Sequence, residues 1–189
     1  YIHLALRQRP AEPVESKLKA AEDEAMRLST AVGALLNFAR PFQLDLQNTN
    51  LAAVTTATVS PLSEGAPEVR VRVEAEDAWI EGDPTLLARA VENGVRNAIE
   101  AVREKGSGEV SVEVRAAPDP HIIISDTGAG LDPADVPRLF LPFQTQRSGG
   151  FGLGLSLVKK IVLLHHGTVD LEGQPGRGAT LTLTFPRAT

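Results

Sequence analysis

The chain has 189 residues, 42% of them hydrophobic, with 19 basic and 24 acidic side chains and a net charge of -5 at pH 7. That allows one large domain, or a small element plus one domain, and it argues against nucleic acid or an anionic membrane surface as partner, so any bound polyanion must be held by local geometry. There is no cysteine, which excludes disulfides and thiol-ligated metals and suits a cytoplasmic setting.

The chain opens YIHLALRQRP, without Met, and residues 1–6 read as the end of a helix, so the expectation is a fragment of a longer protein. No signal-peptide pattern and no apolar run of about 20 residues, the length of a membrane span, is present. A membrane anchor or sensor module upstream in the parent stays open. In residues 15–39, Leu18, Ala21, Ala25, Leu28, Val32, Leu35 and Ala39 recur at alternating steps of three and four. This is the seam of a coiled coil or narrow bundle, with Lys17, Lys19, Glu22, Glu24 and Arg27 facing away and Pro41 stopping the helix. One seam cannot bury itself. Either it self-associates into a four-helix bundle, with residues 1–6 as the end of an antiparallel neighbour, or it lies on its own globular domain.

After a connector over residues 41–50 the pattern changes. EVRVRVEA (68–75) alternates as a half-buried strand does. DPTLLARAVENGVRNAIEAVREKG (83–106) has an N-cap Asp, Pro at the first helical position and Gly just past the end, which bounds a helix firmly. Strands EVSVEVRAA and HIIISD follow, then a short helix DPADVPRLF. The glycine-rich SGGFGLGLSLVKKI (148–161) runs into a helix ending near His165, and the strands GTVDLEG and ATLTLTFP close the chain. Neighbouring strands with glycine turns predict antiparallel pairing. The expected class is α+β: a two-layer α/β sandwich, with a mixed, largely antiparallel sheet and helices on one face, preceded by the helical segment.

Three stretches carry chemistry. In IIISDTGAGL (122–131), Asp126 ends an apolar strand, where an unpaired carboxylate is costly. Being acceptor-only, it suits the exocyclic amine of an adenine, and Gly128 and Gly130 would let the backbone bend past a flat ring. The alternative is an ordinary strand–turn–helix in which Asp126 supports the turn. In ENGVRNAIEA (92–101), Asn93 and Asn97 stand at i and i+4, on one helix face. An amide oxygen is a hard, neutral ligand that magnesium accepts alongside water and phosphates; the alternative is a solvated polar face or a hydrogen bond to a neighbouring loop. The glycine segment heading a helix fits an anion held by bare N–H groups and the positive helix end. Alone it is a weak signal.

Taken in this order, with RLFLPF between the last two, the stretches resemble the nucleotide-binding domain of sensor histidine kinases. These belong to the superfamily of DNA gyrase, the heat-shock chaperone ATPases and the mismatch-repair ATPases. The resemblance covers roughly residues 51–186, with EGDPTLLARAVENGVRNAIEAV similar to the asparagine-bearing helix and HHGTVDLEGQPGRGATLTLTFP to the closing strands. It implies ATP and Mg2+ as cofactors. Asp126 would accept from the adenine amino group, with Thr180 assisting through water. Asn97 would coordinate Mg2+ and Asn93 support the metal or phosphates. Gly150, Gly152 and Gly154 would let the lid and helix N-terminus wrap the triphosphate, and Phe140 and Phe143 would anchor a mobile lid. Residues 49–189 are then the catalytic ATP-binding domain. Residues 1–48 are a partial dimerisation and phosphoacceptor hairpin plus connector, EDEAMRLSTAVGALLNFARP resembling its second helix. The implied partners are ATP, a response-regulator receiver domain and a second copy of the chain through the N-terminal helices. No nucleic acid and no membrane contact are expected of this fragment, and its catalytic part is expected to be cytoplasmic.

Two departures separate subfamilies. Asn93 stands where the hydrolysing relatives carry a glutamate; an amide is no base at neutral pH, and Glu92 points about 100° away on the helix. This favours transfer to a protein nucleophile over hydrolysis. Gln146 stands where many related kinases place a lysine, leaving Arg147 as the substitute phosphate partner. HLALRQRP lacks the acid and the proline spacing of the family's phosphoacceptor pattern, so His3 reads as an ordinary helix residue and the acceptor histidine is expected upstream of Tyr1. His165 and His166 sit at a helix end, where imidazole suits the dipole, and His121 opens a strand; none has metal-ligand spacing. The alternatives are a conformational ATPase, or a nucleotide-binding module of the anti-sigma or serine-kinase type.

Overall fold

The computed structural model describes residues 12–39, 43–144 and 152–187; His3, Gln146, Arg147 and Gly150 lie outside the described residues. The chain divides into two compact units, Tyr1–Pro41 and Phe42–Thr189. In the first, helix α1 (Glu12–Ala39) spans the positions of the expected seam. Leu18 is half-buried, but Ala21 and Ala25 are exposed and Met26 and Leu28 are 67% and 61% exposed.

In the second unit, part of the expected connector is a strand. β1 (Gln47–Asn50) pairs antiparallel with β3 (Trp79–Gly82), and Thr49 donates its hydroxyl to the Gly82 carbonyl at 2.8 Å. Between them come helix α2 (Leu51–Glu64) and strand β2 (Arg70–Ala75). Asn50 caps α2, its side-chain oxygen accepting from the Ala52 N–H at 3.0 Å. Thr55, on the buried side of α2, has no partner for its hydroxyl among the described residues. An unpaired buried hydroxyl is a net cost, so Thr55→Val, which keeps the shape, is expected to stabilise the fold by about 1 kcal/mol. A rise in the thermal midpoint checks this.

The main sheet has the order β2-β4-β5-β7-β6, with β4 (Glu109–Arg115), β5 (His121–Asp126), β6 (Thr168–Gln174) and β7 (Gly178–Thr184). Only β2–β4 is parallel; the other neighbours are antiparallel. The alternation separates the faces. Val110, Val112, Val114, Ile122, Ile124, Leu181 and Leu183 are buried together, while Ser125, Thr180 and the ion pairs of Arg72 with Glu109 and Arg115 with Glu113 occupy the other face. β2 is more exposed than its alternation suggests, Val73 being 37% exposed, because it is an edge strand.

Helix α3 (Pro84–Lys105) lies on the apolar face and begins and ends as expected. Asp83 accepts from the Thr85 and Leu86 N–H groups at 2.9 and 3.0 Å, and Gly106 closes the helix in the left-handed conformation. Gly94 lets it settle closely on the sheet: a methyl there would lie 2.6 Å from the Ile124 side chain and 3.1 Å from that of Leu181. At its far end Arg103 pairs with Glu68 at 2.6 Å. The Glu68 backbone N–H and the guanidinium together hold that exposed carboxyl below its usual range. A short turn at Pro133–Asp135 leads into α4 (Val136–Leu139), and α5 (Gly154–Leu164) buries Val158, Ile161 and Val162. No helix among the described residues is long and apolar enough to cross a membrane.

Candidate functional site

The site is organised by one row of α3. Asn93, Asn97, Ala101 and Lys105 follow at intervals of four, so they form one ridge along the helix. At Asn93 and Asn97 the ridge meets the head of α5. A methyl placed on Gly154 would lie 3.3 Å from Asn93 Oδ1 and 3.5 Å from Asn97 Nδ2. The glycine thus keeps open a space lined by both amides. Asn93 donates its Nδ2 to the Arg89 carbonyl at 2.7 Å, which turns its oxygen towards that space. The N-cap residue of α5, Leu153, makes no side-chain capping bond, and the first N–H groups of a helix suit an anion.

At Ala101 the ridge meets the D-x-G-x-G turn after β5. The Ala129 N–H donates to the Ala101 carbonyl at 3.1 Å, and a methyl on Gly128 would lie 2.4 Å from the Ala101 backbone. Asp126 is half-buried at the strand end, and its Oδ1 accepts the Gly128 N–H at 2.8 Å. The carboxylate therefore does support the turn, and that support fixes its direction. Gly130 has φ 72°, with its open side against the Gln174 carbonyl, so this glycine serves close packing on the β6–β7 hairpin.

Thr180 corrects the expectation. The register sets Ser125 opposite Thr180 and Asp126 opposite Ala179, and the Ser125 and Thr180 hydroxyls bond at 3.0 Å. Successive strand residues point to opposite faces. Thr180 is therefore on the face away from the helices, and the side chain beside Asp126 is the methyl of Ala179.

The lid base is tied to the glycine segment. The Phe143 N–H donates to the Gly152 carbonyl at 3.0 Å, and both residues have positive φ, 64° each. For a bulky residue that is a strained conformation. Phe143 is 58% exposed, whereas Phe140 packs against the core beneath the Lys159 ammonium, 5.4 Å from its ring centroid. Glu92 is engaged elsewhere, pairing with Arg96 at 2.9 Å. His165 is no surface dipole partner; it is 2% exposed and bonded through both ring nitrogens.

A mixed sheet covered on one face by helices α2, α3 and α5, with two glycine turns converging on one asparagine ridge, defines a nucleotide-binding domain. Residues 82–189 match the family described as histidine kinase-, DNA gyrase B-, and HSP90-like ATPase. The chain is 32% identical over 169 residues to the sensor histidine kinase ZraS of Salmonella typhimurium, covering 86% of this chain and 36% of that protein; it thus spans about a third of that relative's length. Among solved structures it is similar to the mycobacterial sensor histidine kinase MprB, with TM-score 0.67 and 25% identity over 75% of this chain and 97% of that one. The full-length ShkA in complex with AMPPNP shares the fold, with TM-score 0.76 and 23% identity over 96% of this chain and 40% of that one. The chain belongs to the histidine kinase-, gyrase B- and HSP90-like ATPase family, as the ATP-binding region of a sensor histidine kinase.

Proposed function

We propose that this region binds Mg2+-ATP along the α3 ridge and delivers the γ-phosphoryl group to a histidine on a helical hairpin. From there it passes to an aspartate of a response-regulator receiver domain. The observation that carries this reading is the single ridge that meets both glycine turns: Asn93 and Asn97 at Gly154, Ala101 at the turn of Asp126. Asp126 reads the adenine amine, the head of α5 and the segment of Gly150 and Gly152 hold phosphate oxygens with Arg147, and Phe140 and Phe143 seat the lid.

The donor set fits magnesium. Among the described residues no group of three or more His, Cys, Asp or Glu side chains is placed to hold a metal ion, and the space before Gly154 is lined by neutral amides. Magnesium is commonly held by few protein ligands together with water and phosphates, and Asn97, supported by Asn93, would be its protein ligand. The ion would neutralise phosphate charge in the transfer, which otherwise rests on positioning. In the transfer an N–P bond forms at the acceptor imidazole as the bond from γ-phosphorus to the bridging oxygen breaks, and ADP leaves.

The conformational ATPase is disfavoured by two contacts. Asn93 has its amide nitrogen committed to Arg89, and Glu92 faces Arg96, so neither is set to activate water. The seam of α1, with Leu28 exposed, supports pairing of two chains through their N-terminal helices. The proposed setting is the cytoplasm.

Incubation with γ-labelled ATP and a separate histidine-bearing hairpin tests the reading. Acid-labile label on the hairpin is expected, and Asn97→Ala should slow its appearance about a hundredfold. Release of free phosphate with no labelled histidine would overturn it.

A further inference from the structure

We infer that Lys105, the last residue of the α3 ridge, is a positioning residue that sets the specificity of the purine pocket by locking the Asp126 turn to the β6–β7 hairpin. Its ammonium donates to the Thr127 carbonyl at 2.7 Å and to the Gly176 carbonyl at 3.1 Å. Thr127 follows Asp126 directly, and Gly176 is in the hairpin turn. The circuit is closed by two further bonds: the Gly176 N–H donates to the Ala129 carbonyl at 2.6 Å, and the Ala129 N–H to the Ala101 carbonyl at 3.1 Å. Ala101 and Lys105 are one helical turn apart. One face of α3 therefore grips the loop directly and again through the hairpin.

The packing makes this grip consequential. Gly178, at φ 92°, has the Asp126 carbonyl against its open side, and Gly130 has the Gln174 carbonyl against its own. Loop and turn are so closely fitted that their separation governs where the Asp126 backbone lies, and with it the carboxylate. β-hairpin turns are otherwise free to hinge at glycine, and this hairpin has Gly176 in its turn, with Gly173 and Gly178 on the strands beside it. Nothing in the nucleotide chemistry calls for a cation here; two carbonyls from separate segments do, and a Lys ammonium can donate to both.

The inference rests on Asp126 reading adenine, and the experiment separates the two claims. ADP and tripolyphosphate are titrated calorimetrically into the full chain and into Lys105→Met, Lys105→Arg and Asp126→Ala, with thermal midpoints recorded. Lys105→Met should weaken ADP about three- to tenfold, the effect of lost hydrogen bonds. Tripolyphosphate affinity should not change, and Lys105→Arg should restore ADP binding. Unchanged ADP affinity in Lys105→Met, with binding lost in Asp126→Ala, overturns the inference and leaves the pocket standing. Equal weakening of both ligands with a lowered midpoint overturns it in favour of a merely structural lysine. An inert Asp126→Ala overturns the pocket and the inference together.

Discussion

Asp126→Asn is expected to weaken ADP binding about a hundredfold while leaving the fold intact. Asparagine keeps an oxygen for the Gly128 N–H, the bond that shapes the turn, and that bond decides which way round the amide sits. Its NH2 group then replaces the second carboxylate oxygen and meets the adenine amine donor to donor. The loss comes from an inverted group on an unchanged backbone, so the thermal midpoint should stay near that of the parent. The same inversion suits a purine with a carbonyl at position 6. Asp126→Asn should therefore lose the preference for ADP over inosine diphosphate, measured by competing the two in one titration. Parental affinity for ADP in this variant would show that the carboxylate does not read the base.

The sequence discloses this site in part, and the boundary has physical causes. Helix α3 is visible because its punctuation is local: Asp83, Pro84 and Gly106 act within a turn of their own positions. The two glycine turns and the asparagine pair stand out for the same reason. Helix α2 is hidden, since LAAVTTATVSPLSE is rich in Thr and Val and contains Pro61, so propensity speaks against the helix that Asn50 and packing impose. The face of Thr180 depends on the register of β7, which a hairpin with three glycines sets and a one-residue slip reverses. Gly94 looks like an ordinary helix glycine until the sheet beneath it is seen. Lys105 looks like the basic residue expected in the last turn of any helix, and its two carbonyl partners come from segments far along the chain.

His165→Ala is expected to destabilise the second unit by about 2–4 kcal/mol, read from urea unfolding midpoints. The imidazole joins the end of α5 to the start of α3. Ring atom Nδ1 lies 2.8 Å from the Ile161 carbonyl, and Nε2 accepts the Asp83 N–H at 2.9 Å. A carbonyl only accepts and an N–H only donates, so Nδ1 carries the proton and the neutral ring is bonded on both sides. Asp83 in turn caps α3 with Oδ1 and takes the Asp45 N–H with Oδ2 at 3.2 Å, so one buried cluster ties two helix ends to the chain leading into β1. Alanine leaves the Asp83 amide unpaired and opens space beside Phe185, whose ring meets the imidazole edge-on at 6.2 Å. His165→Phe separates these effects. It fills the space and keeps the aromatic contact, yet strands the amide, and should still cost about 1–3 kcal/mol. Parental stability in His165→Phe would reduce the histidine to a filler of volume. Because the cluster lies roughly 16 Å along α5 from Gly154, ADP affinity of either variant, measured well below its transition, should stay within about twofold of the parent. That is the opposite pattern to Asp126→Asn, and the pair of variants separates what holds the domain together from what it binds.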